Sequence, residues 1–66
     1  MSGFVYYVVL TYTERRVLYR GTSLVLCAMF LNPGTVYGVG HTLKHAEKVA
    51  LTWANRFAPR EEGTIT

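Results

Sequence analysis

Gly38-Val39-Gly40-His41-Thr42-Leu43-Lys44-His45-Ala46-Glu47-Lys48-Val49-Ala50-Leu51-Thr52-Trp53-Ala54 is the stretch from which the fold of this chain is read. Thr42 is a good N-cap, because its hydroxyl can accept from an otherwise unpaired amide of the first helical turn. Behind it Leu43, Ala46, Ala50, Trp53 and Phe57 recur at steps of three and four, with Val49 and Ala54 widening the stripe. That spacing predicts an amphipathic helix, with Lys44, Glu47, Lys48, Thr52, Asn55 and Arg56 on its polar side. Pro59 is expected to stop it. Ahead of the cap, Val36-Tyr37-Gly38-Val39 reads as a short strand weakened by glycine.

Working outward, Asn32-Pro33-Gly34-Thr35 is a strong turn, since proline presets φ near −65° and glycine accepts the positive φ that follows. Before it, Leu24-Val25-Leu26-Cys27-Ala28-Met29-Phe30-Leu31 is apolar on both faces. This reads as a central strand covered on both sides, or as one whose second face meets another molecule. Phe4 to Tyr12 is β-branched and aromatic almost throughout, and so is a strand by composition. Thr13-Glu14-Arg15-Arg16 breaks it, Val17-Leu18-Tyr19-Arg20 can resume pairing, and Gly21 suggests a bulge or bend. The expectation is an α+β fold, a three-stranded antiparallel sheet followed by one C-terminal helix, in the order β-β-β-α. Residues 1 to 59 form one domain, and residues 60 to 66 a flexible tail.

A chain of 66 residues buries only about 60% of the surface its unfolded form exposes, so its core is thin. Disulfides, a metal or a partner usually compensate. A single cysteine, Cys27, excludes an internal disulfide, and two histidines with one cysteine provide no zinc ligand set. No cofactor is implied. The arginines at 15, 16 and 20 interrupt the first apolar stretch, and the second is far shorter than a membrane span requires. Without a signal-like start either, the expected setting is a reducing, cytoplasmic one with no membrane partner. One helix can cover only one face of the sheet. An apolar second face would therefore remain to bind a protein partner or form a homodimer.

No constellation assembles a catalytic centre. Glu14, Glu47, Glu61 and Glu62 are not paired as a general acid and base would be, and Cys27 in an apolar run is expected to be an inert core thiol. His41 and His45 have i, i+4 spacing, yet His41 precedes the cap and no third ligand is near. Tyrosines 6, 7, 12, 19 and 37 can stack on bases, although strand aromatics more commonly pack. The chemistry that does gather is electrostatic. Arg15, Arg16, Arg20, Lys44, Lys48 and Arg56 face only Glu14 and Glu47 over residues 1 to 59, a balance that favours an anionic partner. A capped helix N-terminus adds free amides and partial positive charge. The candidate nucleic-acid-binding residues are Lys44, Lys48, His41, Thr42 and His45 at that junction, with Arg15, Arg16 and Arg20 from the first two strands and their loop.

Gly38, Gly40, Thr42, Lys44, Ala46, Ala50 and Ala54 fall in register with the end of the double-stranded RNA-binding domain, which this segment resembles. The resemblance implies that Lys44 and the helix N-terminus contact phosphates of duplex RNA or DNA, by shape rather than sequence. Leu43 and Glu47 stand where that family carries basic residues, and there is no room before Phe4 for its first helix. Gly40-His41-Thr42-Leu43 is also similar to the helix opening in antitoxins of HicA–HicB systems, and the arm-binding domains of phage-type integrases share the strand order. That second likeness implies a protein-binding inhibitor or antitoxin-like protein of phage or mobile-element type. Two functions follow as expectations, a small nucleic-acid-binding module and a protein-binding one acting through the free sheet face.

Overall fold

The computed structural model describes residues 4–58. Its elements run β1 (Tyr6–Thr11), β2 (Val17–Gly21), α1 (Leu24–Met29), β3 (Thr35–Gly40) and α2 (Leu43–Phe57). The expected three-stranded antiparallel sheet and C-terminal helix are both present. The sheet order is β2-β1-β3, with the first strand in the centre.

The Leu24–Leu31 run is corrected: its first six residues are helix α1, not a strand. Two physical causes act together. Ser23 caps the segment, its Oγ accepting from the Leu26 amide at 3.2 Å, and the Ser23 amide in turn donates to the Tyr19 hydroxyl at 3.0 Å. Topology supplies the second cause. Both β2 and β3 run antiparallel to β1 on its two sides, so they are parallel to each other. The chain between them must therefore cross a face of the sheet, which is the usual place for a helix.

That face was expected to be open, and α1 corrects this too over part of its area. Val9 points away from α2 and is fully buried, as is Cys27 of α1. Tyr19, opposite Val9 on β2, stacks on Phe30 at the end of α1 with ring centroids 5.8 Å apart. The remainder of α1 covers nothing, and Leu24, Val25, Leu26 and Met29 all lie exposed.

On the other face α2 packs through Ala46, Ala50 and Ala54, all fully buried, against Val8, Leu10 and Val36, with Tyr6, Tyr12, Val17 and Leu51 at the margin. Three alanines bring the helix axis close to the sheet, and Gly38 allows the contact. A Cβ built there would lie 2.1 Å from the Ala46 carbonyl oxygen and 2.4 Å from the Ala50 amide nitrogen. The glycine pair thus serves helix–sheet approach. Thr42 caps α2 as expected, accepting from the His45 amide at 3.0 Å. The helix ends at Phe57 with Ala58 as its C-cap; Pro59 and the tail lie outside the described residues.

The turn at 32–35 forms as expected, with Gly34 at φ +95° and the Thr35 amide donating to the Asn32 carbonyl at 3.1 Å. The irregularity expected near Gly21 lies instead earlier in β2. The register shifts between Val9↔Tyr19 and Leu10↔Val17, leaving Leu18 as the extra residue.

Candidate functional site

The eight basic and polar residues picked from the sequence do not form one surface. Gly40 pairs with Tyr6, and Thr35 with Thr11, so α2 begins at the Tyr6 end of the sheet and returns towards Thr11. Its 15 residues span about 22 Å at 1.5 Å each. His41, Thr42, Lys44, His45 and Lys48 sit at one end of that length. Arg15 and Arg16 sit at the other, where Tyr12 packs on Phe57 with ring centroids 5.9 Å apart.

Arg15 is committed to the fold. It holds φ at +59°, a region disfavoured for a residue with a side chain. Its guanidinium donates to the Tyr12 carbonyl, to Asn55 Oδ1 at 2.6 Å and to the Ala58 carbonyl at 3.0 Å. The loop between the first two strands is thereby latched onto the last turn of α2, where a cation also complements the helix dipole. Arg16, by contrast, makes a solvent-exposed pair with Glu14 at 3.1 Å, of a kind that contributes little. Arg15→Ala is expected to destabilise the chain by about 1–3 kcal/mol, since it strands acceptors near the helix end. Arg16→Ala should stay within about 0.5 kcal/mol. Urea denaturation of the two variants checks this, and equal losses would contradict the latch.

Arg20 lies on the α2 side of β2, opposite Val8, and approaches Glu47 at 3.9 Å. What stays at the α2 N-terminus is an exposed set, Lys44, His45 and Lys48 with His41 just ahead of the cap. The first turn carries no acidic residue. His45 leans over Gly40, where a Cβ would come within 2.5 Å of its ring.

A different surface was not foreseen. β3 is an edge strand, and α2 overhangs it with Val49, Trp53 and Phe57. Between them runs an apolar groove of about 480 Å³, lined also by Thr35, Val36, Tyr37 and Val39. No lining residue is charged. Arg56 lies over the Trp53 ring at 5.7 Å, and Trp53 stacks on Phe57 at 6.1 Å. The signal that could have found this groove is the row Val49, Trp53, Phe57 at steps of four, which lies to one side of the alanine row. Deciding what that row faces requires the strand order.

Cys27 is fully buried, and burial pushes its thiol pKa up, which disfavours the nucleophilic thiolate. Among the described residues no group of three or more His, Cys, Asp or Glu could hold a metal ion. None of their helices is long and apolar enough to cross a membrane. No protein-family model, curated protein or solved structure matches this chain.

Proposed function

We propose that the chain is a non-enzymatic module that binds another protein chain through its apolar surface. The observation that carries this reading is the uncharged groove between the β3 edge and the Val49–Trp53–Phe57 row of α2. Large side chains stay outside the core there: Trp53 is 43% and Phe57 63% exposed. Contiguous apolar surface of this kind in a small domain marks an interaction site, and a half-buried tryptophan in a pocket is the typical energetic anchor of one. Placing a charge in the groove tests it. Trp53→Glu, with its helical circular dichroism checked, is expected to lower recovery of the bound protein at least tenfold in nuclease-treated pull-downs from the native host. Undiminished recovery would refute the reading.

A second reading, binding of duplex RNA or DNA, is favoured by one feature, the exposed Lys44 and Lys48 on a capped helix end without acidic residues in its first turn. The resemblance to the double-stranded RNA-binding domain points the same way. With Arg15 latched and Arg16 at the far end of α2, this footprint is small. Lys44→Glu/Lys48→Glu is expected to abolish duplex binding, and the wild-type affinity should fall steeply between low and moderate salt. Duplex binding that is insensitive to both changes would remove this reading and leave the groove unaffected.

A further inference from the structure

We infer that the groove is filled by a second copy of this chain, the two β3 edges pairing antiparallel about a two-fold axis at Gly38. This deepens the protein-binding reading above and rests on it.

The hydrogen-bond pattern of β3 sets the geometry. The Tyr12 amide donates to the Gly34 carbonyl at 3.1 Å, continuing the register in which Thr11 faces Thr35. Antiparallel pairs alternate between bonded and non-bonded. Val36, Gly38 and Gly40 therefore bond to β1, while Thr35, Tyr37 and Val39 turn their amides and carbonyls outward. The Thr35 amide is used by the turn, donating to Asn32. Tyr37 and Val39 are left to present two donors and two acceptors along the open edge.

That row is complementary to itself. With the axis at Gly38, Tyr37 of one copy faces Val39 of the other. Both residues then exchange amide and carbonyl, giving four hydrogen bonds. Their side chains become two aromatic–β-branched cross-strand pairs, a favourable combination. On the α2 side, the α2 backbone itself sits over Gly38, so the two helices meet across the axis through their outward Val49 and Trp53 side chains.

Several features single out a second copy as the occupant. β3 has no charge and no proline, two of the devices that keep an edge from pairing, and the α2 side chains that overhang it are apolar. Its ladder to β1 is regular, whereas β2 is bulged and carries Arg20. The groove lining is uncharged, which gives a polyanion nothing to bind there, and Arg56 stands at its rim over Trp53. The surface available is also of the right order. Tyr37 is 45% exposed, and aromatic side chains offer about 200 Å² each. Together with Val39, Trp53, Phe57 and the strand edge, two copies bury on the order of 1,000 Å², the lower limit for a specific interface. A dimer with micromolar affinity is the matching expectation.

The test is sedimentation equilibrium of the full chain from about 5 µM to 1 mM, a range that brackets such an affinity, combined with amide hydrogen exchange. The wild type is expected to dimerise within this range, with the Tyr37 and Val39 amides becoming protected as concentration rises. Val39→Pro removes an outward donor without touching the β1 ladder, and should remain monomeric at all concentrations. Met29→Glu on α1 should dimerise as the wild type does. A chain that stays monomeric overturns self-pairing, while protein docking stands or falls by the Trp53→Glu pull-down. A dimer abolished by Met29→Glu but kept by Val39→Pro also overturns it, by moving the interface to α1. Should Val39→Pro fail to fold, the wild-type exchange still decides: Tyr37 and Val39 amides that exchange at unprotected rates at every concentration refute the pairing.

Discussion

Gly38→Ala is expected to leave the chain largely unfolded at room temperature, although it adds a single methyl group. The added carbon would lie 2.1 Å from the Ala46 carbonyl oxygen and 2.4 Å from the Ala50 amide nitrogen. Both are backbone atoms inside a helix, so no side chain can swing away. Relief requires α2 to lift off β3 by more than an ångström, which opens the packing of Ala46, Ala50 and Ala54 together. Overpacking of this kind costs about 1–3 kcal/mol where neighbours can adapt, and more where they cannot. At about 0.05–0.15 kcal/mol per residue, a chain of this size holds only a few kcal/mol in total. Gly34→Ala provides the contrast. It sits at φ +95° with nothing within 4 Å of the added carbon, so the backbone term alone applies, about 1–2 kcal/mol. Thermal melts followed by circular dichroism should show Gly38→Ala without a cooperative transition and Gly34→Ala with a lowered one. A Gly38→Ala melting point within a few degrees of wild type would mean that the helix does not approach β3 so closely.

Leu10→Ala should have the next largest effect. Leu10 heads the fully buried side chains by size and is 1% exposed. It lies on the central strand and contributes to the α2-facing core. Buried leucine truncations cost about 2–5 kcal/mol, depending on how far the site collapses. Here collapse is restricted, because the opposing helix residues are alanines already in contact with the sheet. The urea midpoint is expected to fall by at least half. Val25→Ala, of similar chemistry on the exposed side of α1, should shift it by less than about 0.5 kcal/mol equivalent. Similar midpoints for both variants would place the energetic core elsewhere.

These two positions also indicate what the sequence discloses. Leu10 and its neighbours were legible, because a β-branched and aromatic run cannot pack well as anything but a strand. α2 was legible from Thr42 and the recurrence of Leu43, Ala46, Ala50, Trp53 and Phe57, although only the alanines of that stripe, with Ala54, are buried and Leu43, Trp53 and Phe57 lie exposed. The Leu24–Leu31 run was misread because an apolar stretch without periodicity fits a buried strand and a short helix equally. The decisive sign was Ser23, a polar cap that the run itself does not contain. The left-handed backbone of Arg15 left no trace in composition, so a residue that staples the fold looked like part of a basic patch. Lys44, Lys48, His41, Thr42 and His45 do share one end of α2, as their spacing required. Separation of Arg15 and Arg16 from them follows from the direction in which α2 returns along the sheet. The groove depends on which strand is left at the edge, and that is settled only when β1 takes the centre.

The placement of β1 in the middle of the sheet bears on how the chain is made. Of the three strands the central one is made first, and its partner β2 follows after the loop of residues 12–16. Its other side waits until residue 40 has emerged and the chain has crossed the sheet through α1. During that interval Tyr-Tyr-Val-Val-Leu-Thr is half-paired, uncharged and free of proline and glycine, the composition of a segment that recruits other nascent chains. The order of synthesis thus leaves the most aggregation-prone strand waiting longest for its second partner.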